Sequence, residues 1–389
     1  MIFRIEPGIF KRKSNTGLSM RKFKKDSETG KNDGSSRALR MALYVTVALA
    51  LHVPVFVYPV LRISYWLEFA WITTMVILVP VFFSQIIARV ALRGKSGKRV
   101  FILRTMADFI LGLVPVVIPL LLFFELFVWL FLFDTKFAAQ CIVFVTACII
   151  VSGIYHAFNP RLVSVNLSSS KLGKPLRFAQ ISDVHIGSRS TRFLSQLITR
   201  INSLDVDFLC ITGDFIDQPD ITAYQLRSLQ NFNGPIYFTI GNHERYEDLE
   251  DIIGRLESLG VEVLRNRSVT ANGIQFIGID DKDDITQVAS QLKNFEVHAD
   301  HYVILLYHRP NGLEACDEHG VDLMLSGHTH GGQIVPFNLA VKKVFDRVSG
   351  LYHYGNATLY VSEGTGTWGP TMRFGTRSEI TLFEVNPPT

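Results

Sequence analysis

The chain has 389 residues and a formal net charge of +4 at pH 7, and its length is typical of two or more domains. Its hydrophobic fraction of 48% and charged fraction of 19% are averages over two unlike halves, which excludes one uniform soluble domain. The four cysteines show no disulfide-like spacing. We therefore expect a reducing compartment and no disulfide framework.

The first 40 residues are polar and basic, and the stretch "RKFKKDSETGKNDGSSR" is rich in Gly and Ser. We predict a disordered cytoplasmic tail over residues 1–40 that is attracted to anionic lipid. A nucleic-acid-binding arm is the alternative interpretation, but no nucleic-acid partner is expected. The tail is too long and too basic to predict a cleavable signal peptide.

Residues 41–158 contain four apolar stretches, each near the length of about 20 residues that a helix needs to cross a bilayer. They cover residues 41–61, 66–92, 107–133 and 137–157. We predict an all-α bundle of four transmembrane helices rather than a buried bundle, because the stretches offer water little polar surface. Basic residues between the stretches alternate between many and few. This pattern predicts an inner-membrane protein with a cytoplasmic N-terminus and a cytoplasmic soluble half.

Strands and helices alternate in the soluble half, after a predicted linker over residues 159–175. The predicted strands are "LRFAQISD", "VDFLCITGD", "PIYFTIGNH", "VEVLRN", "IQFIGID", "YVILLYH", "VDLMLSGH", "LYVSEG" and "EITLFEV". Helices are predicted over 190–203 and 220–231. Several runs end in polar residues, which is typical of an α/β protein with its chemistry at the carboxyl ends of the strands. We therefore predict one catalytic α/β domain over residues 176–389.

Polar side chains follow five of these apolar runs. They are Asp183 and His185 in "SDVHIG", Asp214 and Asp217 in "TGDFID", Asn242, His243 and Glu244 in "IGNHE", His308 in "LLYHRP", and His328 and His330 in "SGHTHGG". Residues i and i+2 of an extended segment point to the same side, so Asp183 and His185 should reach one ion. His328 and His330 either do the same or face different ions if the chain bends at a glycine. The five segments together predict a metal site.

The five motifs resemble, in this order, the calcineurin-like metallophosphoesterase superfamily, whose pattern is D-x-H, G-D-x-x-D, G-N-H-[DE], H and G-H-x-H. The forms "GDFID", "GNHE" and "GHTHGGQI", with the closing "LYVSEGTGTWGPTMRFG", look most similar to the YkuE-like, membrane-associated bacterial branch. The resemblance implies a four-layer α/β/β/α sandwich, in which two β-sheets pack face to face between layers of helices.

The resemblance also implies a role for each matching residue. One metal ion would be bound by Asp183, His185, Asp214 and His330. The other would be bound by Asp214, Asn242, His308 and His328. Asp214 would therefore bridge the ions, His243 would protonate the leaving group and Asp217 would orient His243. Asp217 and Glu244 also have an alternative role as hydrogen-bond acceptors that hold loops.

Mixed nitrogen and oxygen ligands suit Mn²⁺, Fe or Zn²⁺ better than Mg²⁺ or Ca²⁺, and the absence of cysteine argues against a structural zinc site. Two such ions about 4 Å apart can neutralise an anionic phosphoester and deprotonate a water that bridges them. Gly331 and Gly332 have no side chains, so we interpret them as leaving room beside the ions for a ligand. Their N–H groups would point toward a phosphate oxygen. Further phosphate contacts are predicted, with solvated surface positions as the alternative, at Arg245, Arg309, Arg373 and Arg377.

These observations predict a membrane-anchored, dinuclear-metal-dependent phosphodiesterase or phosphatase. Because the helices hold the site near the bilayer, a lipid- or envelope-linked phosphoester is the first expected substrate class. A membrane-tethered hydrolase of soluble nucleotides is the alternative. A non-catalytic metal-binding sensor or transporter domain is a third interpretation, and the presence of a general acid at His243 argues against it. The sequence predicts no particular oligomeric state.

Overall fold

A computed structural model describes residues 50–93, 95, 97–218 and 220–388. The predicted tail, residues 1–40, and the start of the first predicted span therefore lie outside the described residues. The described chain divides into two compact units, with the boundary between Leu103 and Arg104. That boundary lies inside one helix, and the third and fourth predicted spans both belong entirely to the same unit as the soluble half.

The membrane half is helical wherever the structure describes regular elements. In chain order it contains a π-helical turn at Val53–Val57, α1 (Tyr58–Trp66), α2 (Trp71–Ile86) with a π-helical extension Ile87–Ala91, α3 (Lys98–Phe131) and α4 (Thr135–Phe158). Among the described residues, three helices are long and apolar enough to cross a membrane, namely α2 with its extension, α3 and α4. The described end of the first predicted span is helical throughout: residues 50–52 precede the π-helical turn, and part of α1 follows it.

The described soluble half contains twelve strands, which form two six-stranded sheets. They are β1 (Arg161–Ser168), β2 (Leu176–Ile181), β3 (Phe208–Thr212), β4 (Ile236–Thr239), β5 (Val261–Val263), β6 (Arg267–Ala271), β7 (Ile274–Gly278), β8 (Tyr302–Leu306), β9 (Leu323–Ser326), β10 (Gly350–Tyr354), β11 (Ala357–Val361) and β12 (Glu379–Asn386).

Seven α-helices lie between these strands in the described chain. They are α5 (Thr191–Asn202), α6 (Ala223–Leu226), α7 (Asn242–Tyr246), α8 (Leu249–Ser258), α9 (Gln287–Leu292), α10 (Leu313–Glu318) and α11 (Asn338–Val344). Two short 3-10 turns are also present in the described chain. One follows α6 at Arg227–Asn231, and the other lies after β9 at His330–Gly332. The helices predicted over 190–203 and 220–231 correspond to α5 and to α6 with its 3-10 turn.

Both sheets are mixed, and each contains a run of four adjacent parallel strands; in the first sheet β1 also runs parallel to β12. The first sheet has the order β1-β12-β2-β3-β4-β5, with β2 to β5 parallel and β12 antiparallel to β2. The second has the order β10-β11-β9-β8-β7-β6, with β11, β9, β8 and β7 parallel and β10 and β6 antiparallel to their neighbours. The soluble half is therefore a mixed α/β domain, as predicted.

One apolar cluster joins the two sheets. Phe178 and Phe208 of the first sheet lie in it with Phe276 of the second, and the rings of Phe208 and Phe276 are 4.9 Å apart. The other face of the first sheet packs against α5 and α8, and the other face of the second packs against α9 and α10. Because neighbouring strand residues point to opposite faces, Phe178 enters the shared cluster while Ala179 faces the helices.

Three strands, β1, β6 and β10, have no counterpart in the sequence prediction. Each lies at the edge of a sheet, and most of its residues are exposed or half-buried. A strand with one neighbour and one solvated face needs no continuous apolar run. β1 also lies within the predicted linker, so the linker prediction is wrong over Arg161–Ser168. Its signal is a period of two, in which Val163, Val165 and Leu167 are less exposed than their neighbours.

α3 packs against loops of the soluble domain. Val116 of α3 shares an apolar cluster with Ile334 and Met372. A Cβ placed on Gly112 of α3 would lie 2.6 Å from Cβ of Pro370. Gly112 therefore lets the helix backbone come close to the loop, which a larger residue there would prevent.

α4 contacts the same loops through its last two turns. The backbone N–H of Arg373 donates to the carbonyl of Gly153 at 2.9 Å, and the backbone N–H of Ser378 donates to the carbonyl of His156 at 3.3 Å. A Cβ on Gly153 would lie 3.2 Å from the Arg373 carbonyl oxygen. The loop over residues 372–378 is thus hydrogen-bonded to a helix that is long enough to cross a membrane.

Candidate metal centre

The carboxyl ends of parallel strands from both sheets carry the predicted ligands to one place. Asp183 follows β2, Asp214 follows β3 and Asn242 follows β4, whereas His308 follows β8 and His328 follows β9. Three groups among the described residues could hold a metal ion, with ligand atoms within 4.8 Å of one another. They are Asp183–His185–His330, His185–Asp214–His243 and Asp214–His308–His328.

The group of Asp183, His185 and His330 is buried. His330 Nε2 lies 3.3 Å from Asp183 Oδ1 and 3.2 Å from His185 Nε2. His185 Nε2 is 4.0 Å from the same carboxylate oxygen. Two imidazole nitrogens and one carboxylate oxygen therefore point at a common space, and we call these residues the first group.

The group of Asp214, His308 and His328 adjoins the first group, and we call it the second group. His308 Nε2 lies 3.2 Å from Asp214 Oδ2 and 3.1 Å from His328 Nδ1. Asp214 also joins His185 and His243 in a ligand-sized cluster, so its carboxylate lies between the two groups. This is the arrangement that a shared ligand requires.

The backbone at these positions is left-handed, which differs from the extended geometry assumed in the sequence analysis. The φ angles are 54° at Asp183, 57° at His185, 50° at Asp214, 72° at His328 and 51° at His330. Non-glycine residues rarely adopt this conformation, and such strain persists only where the surrounding structure imposes it. Asp183 and His185 reach one group because the loop turns at each of them. The turns also send His328 and His330 to different groups, which was the alternative left open.

Hydrogen bonds behind two of the imidazoles direct their second nitrogen toward the cluster. Nδ1 of His185 lies 2.6 Å from Asp217 Oδ1, and Nδ1 of His308 lies 2.8 Å from the carbonyl oxygen of Thr212. Both oxygens are acceptors, so each Nδ1 carries a proton. The Nε2 atoms, which face the cluster, are then the ones available as metal ligands.

Two buried oxygens in the cluster have no hydrogen-bond partner among the described residues: Asp183 Oδ1 and Asn242 Oδ1. Buried polar atoms are nearly always paired, so such orphans point to a missing partner. Both belong to residues that the sequence analysis predicts as ligands. Oxygen and imidazole donors together fit a divalent transition ion, so the residues present suit the metal that the family resemblance implies.

The charged groups of the cluster shift one another's pKa values. Burial opposes ionisation of Asp214, but the imidazoles of His308 and His243 outweigh it and hold the pKa of that carboxyl well below its usual range. Burial also opposes protonation of His308, but Asp214 raises its pKa to about 10. Burial and the neighbouring His308 lower the pKa of His328. The site therefore combines ionised carboxylates with an imidazole that is unprotonated at neutral pH.

His243 lies beside the cluster and is less buried than the residues around it, with 18% of its side chain exposed. Its Nδ1 is 2.8 Å from Asp217 Oδ1, and its Nε2 is 3.9 Å from Asp214 Oδ2. Burial opposes its protonation, but Asp214 and Asp217 raise the pKa of His243 to about 10. A protonated ring is thereby held at the open side of the site.

Glu244 holds the loop that carries Asp214. Its carboxylate accepts backbone N–H groups from Asp214 at 3.0 Å, Phe215 at 2.6 Å, Ile216 at 3.0 Å and Gly241 at 2.8 Å. The loop-holding role weighed for Glu244 in the sequence analysis agrees with these contacts.

The glycine pair after His330 has a packing role in the structure. A Cβ on Gly332, at φ 82°, would collide with the backbone of Asn338 at the start of α11. Gly331 N–H donates to Thr329 Oγ1 at 3.2 Å, and Gly332 N–H donates to the Thr329 carbonyl at 2.8 Å. These N–H groups are used within the turn, so the predicted phosphate contact at the two glycines has a structural competitor.

The four candidate arginines have different surroundings. Arg245 and Arg309 both pair with Asp281, at 2.8 Å and 2.6 Å. Arg377 is exposed. Arg373 is fully buried, which supports neither a phosphate contact nor a solvated surface position for this residue.

Arg373 is a site residue whose position the sequence analysis missed. Its guanidinium donates to the carbonyl of His330 at 3.1 Å and lies 3.2 Å from His330 Nδ1. It also donates to the carbonyls of Glu363 and Gly366. Burial lowers the pKa of Arg373 to about 10. The available signal was an arginine within a glycine-rich run, where carbonyls of tight turns can surround a guanidinium.

Comparison with known proteins agrees with this geometry. A family model described as calcineurin-like phosphoesterase matches residues 176–332. A metallophosphoesterase of Helicobacter pylori (strain J99) is 33% identical over 249 residues, which cover 60% of this chain and 66% of the relative. A transmembrane protein with metallophosphoesterase domain from Danio rerio is 31% identical over 271 residues, which cover 61% of this chain and 60% of that protein. The chain thus spans less than two thirds of the length of these two relatives.

The metallophosphoesterase YkoQ of Bacillus subtilis is matched over most of its length. It is 32% identical over 235 residues, which cover 54% of this chain and 84% of YkoQ. The family model lies within the soluble half, where the five motifs stand in the order that the family resemblance requires. On these grounds the chain belongs to the calcineurin-like phosphoesterase family.

Proposed function

We propose that the chain is a membrane-anchored hydrolase of phosphoesters that depends on two divalent metal ions. The proposal rests on the position of Asp214. Its carboxylate belongs to the second group and also to a cluster with His185, a member of the first group, and His243. A shared carboxylate with a protonated imidazole beside it suits hydrolysis better than simple metal storage.

The proposed ligands follow the two groups. One ion would be held by Asp183, His185, Asp214 and His330. The other would be held by Asp214, Asn242, His308 and His328. When bound, a pair of Mn²⁺, Fe or Zn²⁺ ions would supply charge neutralisation of the phosphoester and an activated water.

His243 is the proposed general acid. Asp217 accepts its Nδ1 proton at 2.8 Å, which leaves the Nε2 proton directed toward the cluster. From that position the ring can pass the Nε2 proton to an alkoxide leaving group. Asp217 also contacts His185, so one carboxylate orients both the acid and a ligand of the first group.

The membrane arrangement is part of the same proposal. Three described helices are long enough to cross a bilayer, and the Danio rerio relative is named as a transmembrane protein. We propose four spans over residues 41–158, an inner-membrane location and a cytoplasmic active site. A four-layer sandwich and membership of the YkuE-like branch also stay proposals, supported by the three apolar clusters and by the motif forms.

The proposed first substrate class is a lipid- or envelope-linked phosphoester, because α3 and α4 contact the loops that carry His330 and Arg373. Hydrolysis of soluble nucleotides by a tethered enzyme is the second candidate. Deleting residues 1–158 would expose Ile334 and Met372, so the test should use the full chain.

The test is hydrolysis by the full chain in nanodiscs, loaded with Mn²⁺, on a panel of diesters, monoesters and pyrophosphates. We expect two bound ions per chain and turnover of at least one phosphoester class, with His243→Ala as the control that retains metal but loses turnover. Failure to take up transition ions, or metal uptake without hydrolysis of any phosphoester, would overturn the proposal.

A further inference from the structure

A surface beside the metal centre exposes apolar side chains that the soluble fold does not cover. α11 has no buried residue, and its Leu339 and Val344 are 60% and 75% exposed. Trp368, in the loop after β11, is 42% exposed. We call residues 337–345 together with Trp368 the apolar rim. Exposed large apolar side chains that form one surface mark a site of contact with a membrane or another protein.

The two parts of the apolar rim are tied to each other. The side-chain amide of Gln333 donates to the carbonyl of Trp368 at 3.0 Å and to the carbonyl of Pro370 at 2.9 Å. Gln333 also accepts the backbone N–H of Trp368 through its side-chain oxygen at 2.9 Å. The loop that leads into α11 and the loop that carries Trp368 therefore form one surface.

Both loops contact α3 next to the apolar rim. Ile334, three residues before Phe337, lies in one apolar cluster with Val116. Pro370, two residues after Trp368, lies against Gly112. The apolar rim therefore begins where the soluble domain meets a helix that is long enough to span a membrane.

The height of this contact along α3 and α4 matches the edge of a bilayer. The two helices are joined by only three residues, 132–134, so both enter the bilayer from the same side. A hydrocarbon core of about 30 Å takes about 20 helical residues. Counted from Phe131 and from Thr135, that length ends near Gly112 and near Gly153, which are the two glycines in contact with the soluble domain.

The far end of the apolar rim reaches the metal centre. The ring of Phe345 lies edge-on to the imidazole of His328, with centroids 5.3 Å apart. Asn338, at the start of α11, packs on Gly332. One short segment thus runs from the α3 contact to the second group.

Charge on the apolar rim favours a phospholipid surface. Lys342 and Lys343 are exposed in the last turn of α11, and one exposed carboxylate, Asp346, follows the rim. Lysines beside apolar and aromatic side chains are typical of segments that lie in the headgroup region of anionic membranes.

We infer that the apolar rim inserts into the bilayer interface and forms the entrance by which a phosphoester with a lipid tail reaches the metal centre. The lipid tail stays in the bilayer along Leu339 and Val344 while the phosphoester passes Phe345 to the second group. The entrance role rests on the proposed function, whereas the insertion itself does not depend on catalysis.

Insertion is tested by fluorescence of the full chain in anionic nanodiscs. The sequence has four tryptophans, so changing Trp66, Trp71 and Trp129 to Phe leaves Trp368 as the probe. We expect quenching by lipids that carry bromine on their acyl chains and little quenching by aqueous iodide. Quenching by iodide alone overturns the inference. Protection from both quenchers, with two chains per nanodisc, overturns it as well, because a second copy would then cover the rim.

The entrance role is tested by a ratio of activities. In nanodiscs, the variant Leu339→Asp/Val344→Asp should lower the ratio of kcat/KM for a lipid-tailed diester to that for a chromogenic soluble diester by about tenfold or more. The matched control is Ile285→Asp, because Ile285 is an aliphatic residue 79% exposed in the loop before α9. It should keep the wild-type ratio.

The outcomes separate the two claims. An unchanged ratio in the double variant, in a protein that hydrolyses both substrates, overturns the entrance role and leaves the proposed function standing. A wild-type chain that hydrolyses neither diester contradicts the proposed function, and the Trp368 measurement then still decides whether the rim inserts.

Discussion

The two groups of the metal centre are supported in different ways. In the first group, His185 is backed by the Asp217 carboxylate and His330 lies against the Arg373 guanidinium. In the second group, His308 is backed by a backbone carbonyl, that of Thr212. Ionisable side chains therefore contact the imidazoles of the first group from behind, whereas a backbone carbonyl at the end of β3 contacts His308 in the second group.

This difference predicts which of the two groups changes its metal affinity when a single residue is substituted. A side chain behind an imidazole can be replaced without moving the strand, so the metal affinity of the first group should respond to single substitutions. The carbonyl behind His308 cannot be removed without breaking the end of β3. Asp214 lies between the groups, so its substitution should weaken metal binding at both of them.

The largest expected effect is that of Asp214→Asn. The amide keeps the shape of the side chain but removes the charge that both groups share, so both ions should bind poorly. We expect turnover to fall below detection and the metal content to fall below one ion per chain, because both ions and the water they activate would be lost. Elemental analysis and turnover of a chromogenic diester measure this. Retention of two ions would show that Asp214 is not shared.

His243→Ala should leave both groups intact and lower kcat by about 10²–10⁴-fold. The backbone N–H of His243, which donates to Asp214 Oδ1 at 2.8 Å, survives the substitution. The loss should be greater for an alkyl leaving group than for a nitrophenolate, because only the alkoxide needs a proton. An equal loss on both substrates would contradict the role of general acid.

Asp217→Asn tests the tuning of the first group. Without the carboxylate behind Nδ1, His185 becomes a weaker ligand, and the affinity for one of the two ions should fall by about 10–100-fold. Metal titration should show one weakened and one unchanged site. Ser188→Ala is the control, because Ser188 donates to Asp217 Oδ2 at 2.6 Å, whereas both imidazoles lie against Oδ1. Equal weakening of both sites would argue against separate support of the groups.

Arg373→Lys has the smallest expected effect of the four variants. Lysine keeps the charge but loses the planar fork that reaches the carbonyl of His330 and its ring together. We expect the affinity of the same ion to fall by about tenfold or less. Arg192→Lys, at an exposed position on α5, is the matched control. An effect confined to the other ion would contradict the assignment of Arg373 to the first group.

Much of the site could be predicted because its residues stand at the ends of apolar strands. The strands that precede Asp183, Asp214, Asn242 and His308 are buried at every residue except Arg177, so their hydrophobic signal was strong. The edge strands β1, β6 and β10 were missed because one neighbour and one solvated face leave little such signal.

The sequence by itself determined which side chains stand at the strand ends, their order, and the alternation of apolar spans with basic segments. Local composition and the alternation of strand faces are enough for that. Only the tertiary structure decided the left-handed turns that send His328 and His330 to different groups, and the burial of Arg373 among carbonyls beside α4. These features depend on contacts between segments far apart in the chain, and no local pattern of residues encodes such contacts.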